Sequence, residues 1–531
     1  MKILPETDRI DLLLYGLMLL AAAMLYLFIY SDMPIYGDAW GYGYKCSSWL
    51  ADNGLPLIPS GTGRGETAGG HAAFYFWLWA VLIKVIGNGV RTAHLLPSFF
   101  VFLTLAGTYR SGRELGGRTM GILSSAVLLV TPLFLAQSFR PLPIAAAMAF
   151  SVWSFFYYLK KKYLVSSLLC ALAVMMREQA LLLALSYILA EFYFVRENGK
   201  GLNWKRIGLF VLPFLVPVVN GIANRIVNGY FFAQGNRPGI GGNLSTGLFL
   251  HRLKHFGFFL TGSYRWLIAS IGTGLVLSRT AGRRTGAAVG LLLLVTGAIP
   301  RFQNYFTVIL LVALLYLVIF RKGRINRYGF VLSLFPLLMV LAFTGIVFLA
   351  STVMQYLFFR YLMPALPLLI LGLTWAVFSC RIKLFRYTAY VFMVLTFTSC
   401  FTVRFRENYS DTTPAGYMMP LLAMRDAGTW AAGQGLPVLA AGGAAMHFSN
   451  TDLGYTDSSL TTVSLEEAAE NPAHRVYSVV VPPLLPWTDD GKANLERFIT
   501  ETAAPAPPAA DTVFIRGPFK AECLILDLET D

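Results

Sequence analysis

The chain has 531 residues, of which 56% are hydrophobic and only 13% are charged, and it carries a formal net charge of +15. Soluble domains contain about 25% charged residues, so this composition excludes an ordinary soluble enzyme. The 40 Phe, 26 Tyr and 10 Trp also exclude a disordered chain. The remaining class is a polytopic α-helical membrane protein.

Apolar runs long enough to cross the hydrocarbon layer predict thirteen transmembrane helices. They lie at 12–30, 92–110, 119–137, 143–159, 163–176, 179–195, 207–223, 256–277, 286–299, 303–320, 329–350, 361–379 and 387–402. Lys and Arg cluster in every second connection, which the positive-inside rule assigns to the cytoplasm. The N-terminus is therefore predicted to be cytoplasmic. Thirteen crossings place the C-terminal region on the other side.

The predicted topology depends on whether one further apolar stretch crosses the membrane. Phe74 to Gly87 has only 14 residues, contains Lys84 and is rich in aromatic residues typical of a membrane interface. If it crossed, the basic clusters at 110–118 and 160–162 would move outside. We therefore interpret it as a juxtamembrane or re-entrant helix at the end of a long external loop, residues 31–91.

The charge balance divides the chain into two predicted domains. Residues 1–402 hold 35 Lys and Arg against 11 Asp and Glu, whereas residues 403–531 hold 8 against 17. Short apolar runs at 436–441, 477–481, 512–515 and 524–528 are typical of strands. The sequence thus predicts a transmembrane domain followed by a small extracytoplasmic α/β domain. The basic clusters are topological signals and do not indicate a nucleic-acid partner.

Acidic residues on the external side are candidates for function, because charge near lipid is costly. Asp38 lies directly after the first predicted span, between Tyr36 and Trp40, where partial desolvation would favour a role as a base. Glu66 follows in the same loop, within a glycine-rich segment. Gly-rich sequence followed by an aromatic helix suits a loop that folds over an amphipathic ligand; a solvated connecting loop is the alternative.

The order of these features resembles a known family. An Asp follows the first span, and His71-x-x-Phe74-Tyr75-Phe76-Trp77-Leu78 comes about thirty residues later. Arg360-Tyr361-x-x-Pro364-x-x-Pro367 lies near an external boundary. Together they resemble the polytopic GT-C glycosyltransferases, with the bacterial aminoarabinose transferase and protein O-mannosyltransferase types as nearest kin. The resemblance covers roughly residues 10–400.

This resemblance implies an enzyme of the bacterial cytoplasmic membrane. It would transfer a sugar from a polyprenyl-phosphate donor to an external lipid, glycan or protein acceptor, usually with inversion. Asp38 stands at the position of the family's catalytic carboxylate and would take the proton from the acceptor hydroxyl. Arg360 and Tyr361, with Arg177 as a second choice, would bind the donor phosphate. His71 and Tyr75 would belong to the substrate-binding loop.

The chain departs from the family at the external loop after the third span. Many relatives have a second acidic residue there, but Gln137-Ser138-Phe139-Arg140-Pro141 contains none. A divalent metal is therefore doubtful, and the five cysteines show no metal-binding spacing either. Arg140 would meet phosphate in place of the metal, or Glu66 would supply the second carboxylate. Loss of activity is the third alternative.

A second external loop, residues 224–255, is rich in Gly and Asn and carries Arg237 among four basic residues. It could gate a phosphate-bearing lipid or simply touch anionic headgroups. The main rival to an enzyme is a transporter or flippase of lipid-linked glycans. Carriers usually place acidic residues near the middle of the membrane, whereas Glu114 and Glu191 lie near predicted cytoplasmic ends. This pattern favours an enzyme over a carrier.

Overall fold

The structure is a computed structural model and is mostly helical. It describes residues 8–35, 38–60, 66, 71–198, 201–231, 281–299, 327–349, 361–378, 438–440, 462–463, 476–480, 510–516 and 521–528, with isolated positions between 267 and 313 and between 421 and 429. Its helices are α1 Arg9–Leu25, α2 Lys45–Asp52, α3 Phe74–Ile86, α4 Val90–Gly116, α5 Arg118–Leu129, α6 Pro132–Ser138, α7 Ile144–Leu159, α8 Tyr163–Met176, α9 Leu181–Asn198, α10 Trp204–Asn228, α11 Arg283–Ala298, α12 Arg327–Leu349 and α13 Leu366–Phe378. Two π-helical turns, Tyr26–Tyr30 and Ala39–Tyr44, extend α1 and precede α2.

Helices α1 and α4 run antiparallel, and their contacts fix where the first loop begins and ends. At one end Asp11, fully buried, forms ion pairs with Arg110 at 2.9 Å and with Arg113. At the other end Arg91 Nε lies 3.0 Å from an Asp32 carboxylate oxygen. The intervening chain therefore leaves and returns at the same face. This arrangement agrees with a 13-residue helix α3 that does not cross the membrane, which stays a prediction.

Helix α7 lies at the centre of the bundle. Thirteen of its sixteen residues are buried, including the uninterrupted run Ala145–Ala149 at 0% exposure. It packs on α4 and α8, while α8 and α9 contact α10. Small residues let these backbones approach closely, as in other membrane helix bundles. By contrast, α1 exposes Leu13 and Leu20 among other large apolar side chains, as a helix facing lipid does.

Three helical segments of the described chain are long and apolar enough to cross a membrane: Arg9–Tyr30, Val90–Gly116 and Trp204–Asn228. A fourth arises if α5 and α6 count as one span, although they meet at 66°. The sequence predicts a single span at 119–137. The break follows from Pro132, which has no N–H to continue the helix and disfavours helical backbone in Thr131. The polytopic membrane architecture is thus confirmed, while the total of thirteen crossings stays a prediction.

The C-terminal region contains a five-stranded mixed sheet. Its strands are β1 Val438–Ala440, β2 Thr462–Val463, β3 Val476–Val480, β4 Ala510–Arg516 and β5 Ala521–Leu528, in the order β2-β1-β3-β5-β4. β1 pairs parallel with β2 and β3, and β5 pairs antiparallel with β3 and β4. Four of the five strands overlap segments that the sequence predicts as strands. The extracytoplasmic location of a separate domain stays a prediction.

Candidate functional site

A buried histidine connects the first loop, residues 31–91, to the loop between α6 and α7. His94 in α4 is fully buried; its Nε2 lies 2.9 Å from the carbonyl oxygen of Met33 and its Nδ1 lies 2.8 Å from that of Phe139. One ring therefore positions two segments that are far apart in sequence. Met33 precedes Asp38 by five residues, so this contact also limits where Asp38 can lie.

An aromatic stack reinforces the same junction. The rings of Tyr30 and Phe139 lie 4.3 Å apart and 3° from parallel. The Tyr30 hydroxyl donates a hydrogen bond to the carbonyl of Leu135 at 2.9 Å. Both side chains are almost fully buried. The end of the first helix and the loop after α6 therefore form one packed unit, which supports the surface beside Asp38.

Asp38 begins the π-helical turn that leads into α2. It has helical dihedral angles and is partly buried, and the next residue, Ala39, is 1% exposed. One turn later, Gly43 packs so closely that an added Cβ would lie 2.9 Å from the Trp79 ring and 3.2 Å from the Pro141 carbonyl oxygen. The helix that carries Asp38 is thus held between α3 and the loop after α6.

Helices α2 and α3 form an antiparallel pair over this face. Asn88, just after α3, donates a hydrogen bond to the Tyr44 hydroxyl at 3.0 Å. At the other end, Trp77 Nε1 donates to the carbonyl of Leu55 at 3.1 Å. These contacts join the start of each helix to the end of the other. The aromatic-rich helix α3 therefore covers the segment that bears Asp38.

His71 and Glu178 bring the first loop to the turn after α8. His71 Nδ1 lies 3.0 Å from Glu178 Oε1, and both side chains are partly exposed. Burial raises the pKa of the Glu178 carboxyl, but the hydrogen bond and charge of His71, with the charge of Arg177, outweigh it and hold that pKa below its usual value. The sequence identifies Glu178 only as an external acid. Its pairing with His71 is a contact that sequence reasoning missed.

The other predicted site residues occupy different surroundings. Arg177 ends α8 in extended conformation, next to Glu178. Arg140 is buried at 6% exposure and its Nε donates to the Ala136 carbonyl at 3.1 Å. Tyr75 is buried on α3 at 1% exposure. Arg177 thus lies in the same turn as Glu178, which pairs with His71. Arg140 lies in the loop between α6 and α7, next to Phe139, which His94 and Tyr30 contact.

Glu66 and Tyr361 are both partly buried. Arg360 and Arg237 lie outside the described residues, so their predicted roles remain sequence-based. Across the part of the chain that is described, no group of three or more His, Cys, Asp and Glu side chains could hold a metal ion.

A residue from the C-terminal region also reaches the first loop. Arg425 Nη1 donates a hydrogen bond to the Asp32 carbonyl at 3.1 Å, while the Asp32 side chain pairs with Arg91. The contact lies six residues before Asp38. The segment around Arg425 therefore meets the same face of the molecule as the start of the first loop.

The sequence resemblance is confirmed by comparison with known proteins. Residues 70–220, from just before α3 into α10, match the family model described as dolichyl-phosphate-mannose-protein mannosyltransferase. The match supports a GT-C glycosyltransferase. No curated protein sequence matches the chain significantly.

Three solved structures of similar proteins cover much of the chain. ArnT from Cupriavidus metallidurans, bound to undecaprenyl phosphate, is 11% identical with a TM-score of 0.44, covering 98% of each chain. The oligosaccharyltransferase of Archaeoglobus fulgidus is 14% identical with a TM-score of 0.42, covering 78% of this chain and 55% of that one. AglB from the same organism, with an inhibitory peptide and a dolichol-phosphate, is 14% identical with a TM-score of 0.40, covering 96% and 62%.

Proposed function

We propose that the chain is a membrane glycosyltransferase that moves a sugar from a polyprenyl-phosphate donor to an acceptor on the extracytoplasmic face. The observation that carries this proposal is the match of residues 70–220 to a family whose description names a dolichyl-phosphate sugar. Those residues include α3, His71 and Glu178, which border the loop that carries Asp38. The acceptor is a lipid, a glycan or a protein.

In the proposed reaction, Asp38 is the general base. It takes the proton of the acceptor hydroxyl as the oxygen attacks the anomeric carbon, the bond from that carbon to the phosphate oxygen breaks, and the polyprenyl phosphate leaves with inversion. The burial of Ala39 and the close packing of Gly43 support this role, because they hold Asp38 in a defined position. Glu66 is the alternative second carboxylate.

The phosphate is neutralised by cationic groups of the external face. Arg177 lies at the turn that Glu178 and His71 share, and a guanidinium pairs two phosphate oxygens at once. Since His71 uses Nδ1 for Glu178, its Nε2 is the atom suited to contact substrate. Arg140, Arg360 and Tyr361 complete the proposed phosphate site, and the loop of Arg237 admits the lipid.

Turnover in proteoliposomes tests this function. The purified protein is supplied with decaprenyl phosphates that carry radiolabelled mannose, glucose or arabinose, and sugar release or transfer is measured. We expect Asp38→Asn to lower turnover by about 10²- to 10⁴-fold, the usual contribution of a general base. Asp52→Asn, an exposed acid in the same loop, is the control and should retain activity. Equal turnover in Asp38→Asn and wild type would exclude Asp38; lipid movement without turnover would indicate a flippase.

The same proposal includes a topology. The N-terminus lies in the cytoplasm of a bacterium, thirteen helices cross its membrane, and residues 403–531 form an extracytoplasmic domain. The contact of Arg425 with Asp32 supports this arrangement, since it brings the C-terminal region to the face opposite the Asp11–Arg110 pair. Alkaline phosphatase fused after Asp531 should be active, whereas a fusion after Lys161 should be inactive. An inactive C-terminal fusion would contradict the odd number of crossings.

A further inference from the structure

The chain between the first helix and Asp38 is held by side chains that contact its main-chain carbonyls. The carbonyl of Asp32 accepts a hydrogen bond from Arg425 Nη1 at 3.1 Å. The carbonyl of the next residue, Met33, lies 2.9 Å from His94 Nε2. Two consecutive peptide units are therefore constrained, five and six residues before the proposed base.

These two contacts come from distant parts of the chain. His94 belongs to α4, whereas Arg425 belongs to the acidic C-terminal region. Arg91 also binds Asp32, but through the carboxylate, and both of those side chains are largely exposed, at 77% and 61%. An exposed ion pair between side chains adds little order. A hydrogen bond to a carbonyl acts on the backbone itself, so the Arg425 contact bears directly on the path of the segment.

The part of the C-terminal region that carries Arg425 is itself packed against the protein. Leu421, four residues earlier, is 0% exposed and belongs to the same apolar core as Met33 and Ile35. Both Leu421 and Arg425 have helical backbone. The guanidinium therefore extends from an anchored segment, and less conformational entropy is lost when it binds the carbonyl.

The position of Asp38 depends on the segment that Arg425 contacts. Ile35 is 0% exposed and Ala39 is 1% exposed, so the chain is buried on both sides of Asp38. Closely packed segments transmit a displacement to their neighbours. A catalytic group that is displaced by about 1 Å loses much of its effect on the rate. A contact at Asp32 can therefore influence a proton transfer at Asp38 without touching the substrate.

We propose that Arg425 is a positioning residue, which holds the Asp38 segment in place through the carbonyl of Asp32. The C-terminal region thereby takes part in arranging the proposed active site. The effect on turnover rests on the proposed function, whereas the structural link between Arg425 and the first loop does not. Two measurements therefore test the link and its consequence separately.

Hydrogen–deuterium exchange of the full-length protein in nanodiscs tests the link without any substrate. The amides of Ser31 and Met33 donate to the carbonyls of Tyr26 and Tyr30, so their protection reports local opening of this segment. Arg425→Ala should raise exchange in peptides that cover residues 31–44 by about 3- to 10-fold, as expected for the loss of one hydrogen bond. Peptides from α7 should be unchanged.

Thr429→Ala is the matched control for the exchange measurement. Thr429 also has helical backbone, four residues after Arg425, but it is exposed. Its substitution should leave exchange in residues 31–44 unchanged. Arg425→Lys keeps a cationic donor and should raise exchange less than Arg425→Ala does. Wild-type exchange in residues 31–44 of Arg425→Ala would overturn the inference, whatever the protein catalyses.

Kinetics in proteoliposomes test the consequence, with decaprenyl phosphates that carry mannose, glucose or arabinose as donors. Arg425→Ala should lower kcat about 3- to 10-fold. The KM for the donor should stay the same, because the phosphate-binding groups are not displaced. Arg425→Lys should restore part of kcat, and Thr429→Ala should match wild type.

A double substitution shows whether Arg425 acts through Asp38. In the Asp38→Asn background, Arg425→Ala should cause no further loss, because the base that it positions is already absent. An equal loss in both backgrounds, or an unchanged kcat in Arg425→Ala, would overturn the positioning role and leave the proposed function intact. A wild type without turnover would overturn the proposed function, and the exchange measurement would still decide the link.

Discussion

His71 and Glu178 lie 107 positions apart in the sequence, yet His71 Nδ1 is 3.0 Å from Glu178 Oε1. The pair ties the start of α3 to the turn after α8. It also brings a carboxylate to the first loop of a chain whose loop after α6 has none. In the proposed reaction, Glu178 would orient the His71 ring and leave Nε2 to contact the substrate.

Replacing Glu178 by Gln should lower kcat/KM about 10-fold or more, the typical loss when a hydrogen bond to a charged group is removed. KM for the donor should rise more than kcat falls, since His71 is proposed to contact the donor phosphate. Steady-state kinetics in proteoliposomes measure both constants. Gln179→Ala, at the adjacent position, is the control. An unchanged KM in Glu178→Gln would show that the pair only stabilises the loop.

The pair also predicts a pH dependence of stability. The pKa of Glu178 is held below its ordinary value of 4.5, so its ionised form contributes stability above about pH 4.5, and the contribution is lost as the pH falls through the lowered value. Melting temperatures of wild type and Glu178→Gln should therefore differ at about pH 5 and converge at lower pH. Equal melting temperatures of the two proteins at about pH 5 would contradict the lowered pKa.

The sequence predicts the helices well because burial in lipid demands long apolar runs, and it makes Asp38 a candidate because an acid among interfacial aromatics is unusual. It does not reveal the contacts that assemble the external face. His94 is a lone histidine in an apolar helix, and its partners are main-chain carbonyls 61 and 45 positions away. No side-chain pattern marks a carbonyl acceptor. Pro132 is a local signal for a helix break. The apolar run around it, residues 119–137, is long enough for one span, so the sequence predicts a single helix there.

His94 is expected to be essential for the position of the Asp38 loop. A neutral imidazole donates one hydrogen bond, so His94→Ala removes the donor of one buried carbonyl, at a cost of about 1–3 kcal/mol, together with the buried ring that lies between Met33 and Phe139. A loss of at least about 2 kcal/mol in unfolding free energy is therefore expected. Ser98→Ala is the control in the same helix, since its hydroxyl bonds only the carbonyl of its own helix, and it should cost less than about 1 kcal/mol. Thermal unfolding in detergent measures the difference. Equal melting temperatures for the two variants would contradict the role of His94.

Asp11 is expected to stabilise the opposite end of the bundle. It is fully buried and paired with Arg110, which is 4% exposed; Asp11→Asn would leave that buried cation poorly compensated, at a cost of about 3–5 kcal/mol. Asp8→Asn removes a charge that is 45% exposed and keeps a good N-cap side chain, so it should destabilise the protein much less than Asp11→Asn. Chemical denaturation compares the two variants. Asp11→Asn as stable as Asp8→Asn would mean that the buried pair adds no stability.

Two glycines in one π-helical turn separate the effect of packing from that of backbone flexibility. A Cβ at Gly43 would lie 2.9 Å from the Trp79 ring and 3.2 Å from the Pro141 carbonyl, whereas a Cβ at Gly41 would meet nothing within 4 Å. Gly43→Ala must push α2 away from α3 or from the loop after α6, and overpacking of this kind costs about 1–3 kcal/mol. Since Asp38 lies one turn away, turnover should fall together with stability.

Gly41→Ala reduces backbone freedom equally without new contacts, so it should leave turnover unchanged and raise stability by up to about 1 kcal/mol. Equal turnover in the two variants would show that the approach of α2 to Trp79 does not position Asp38, whereas loss in Gly43→Ala alone would link this contact to the reaction.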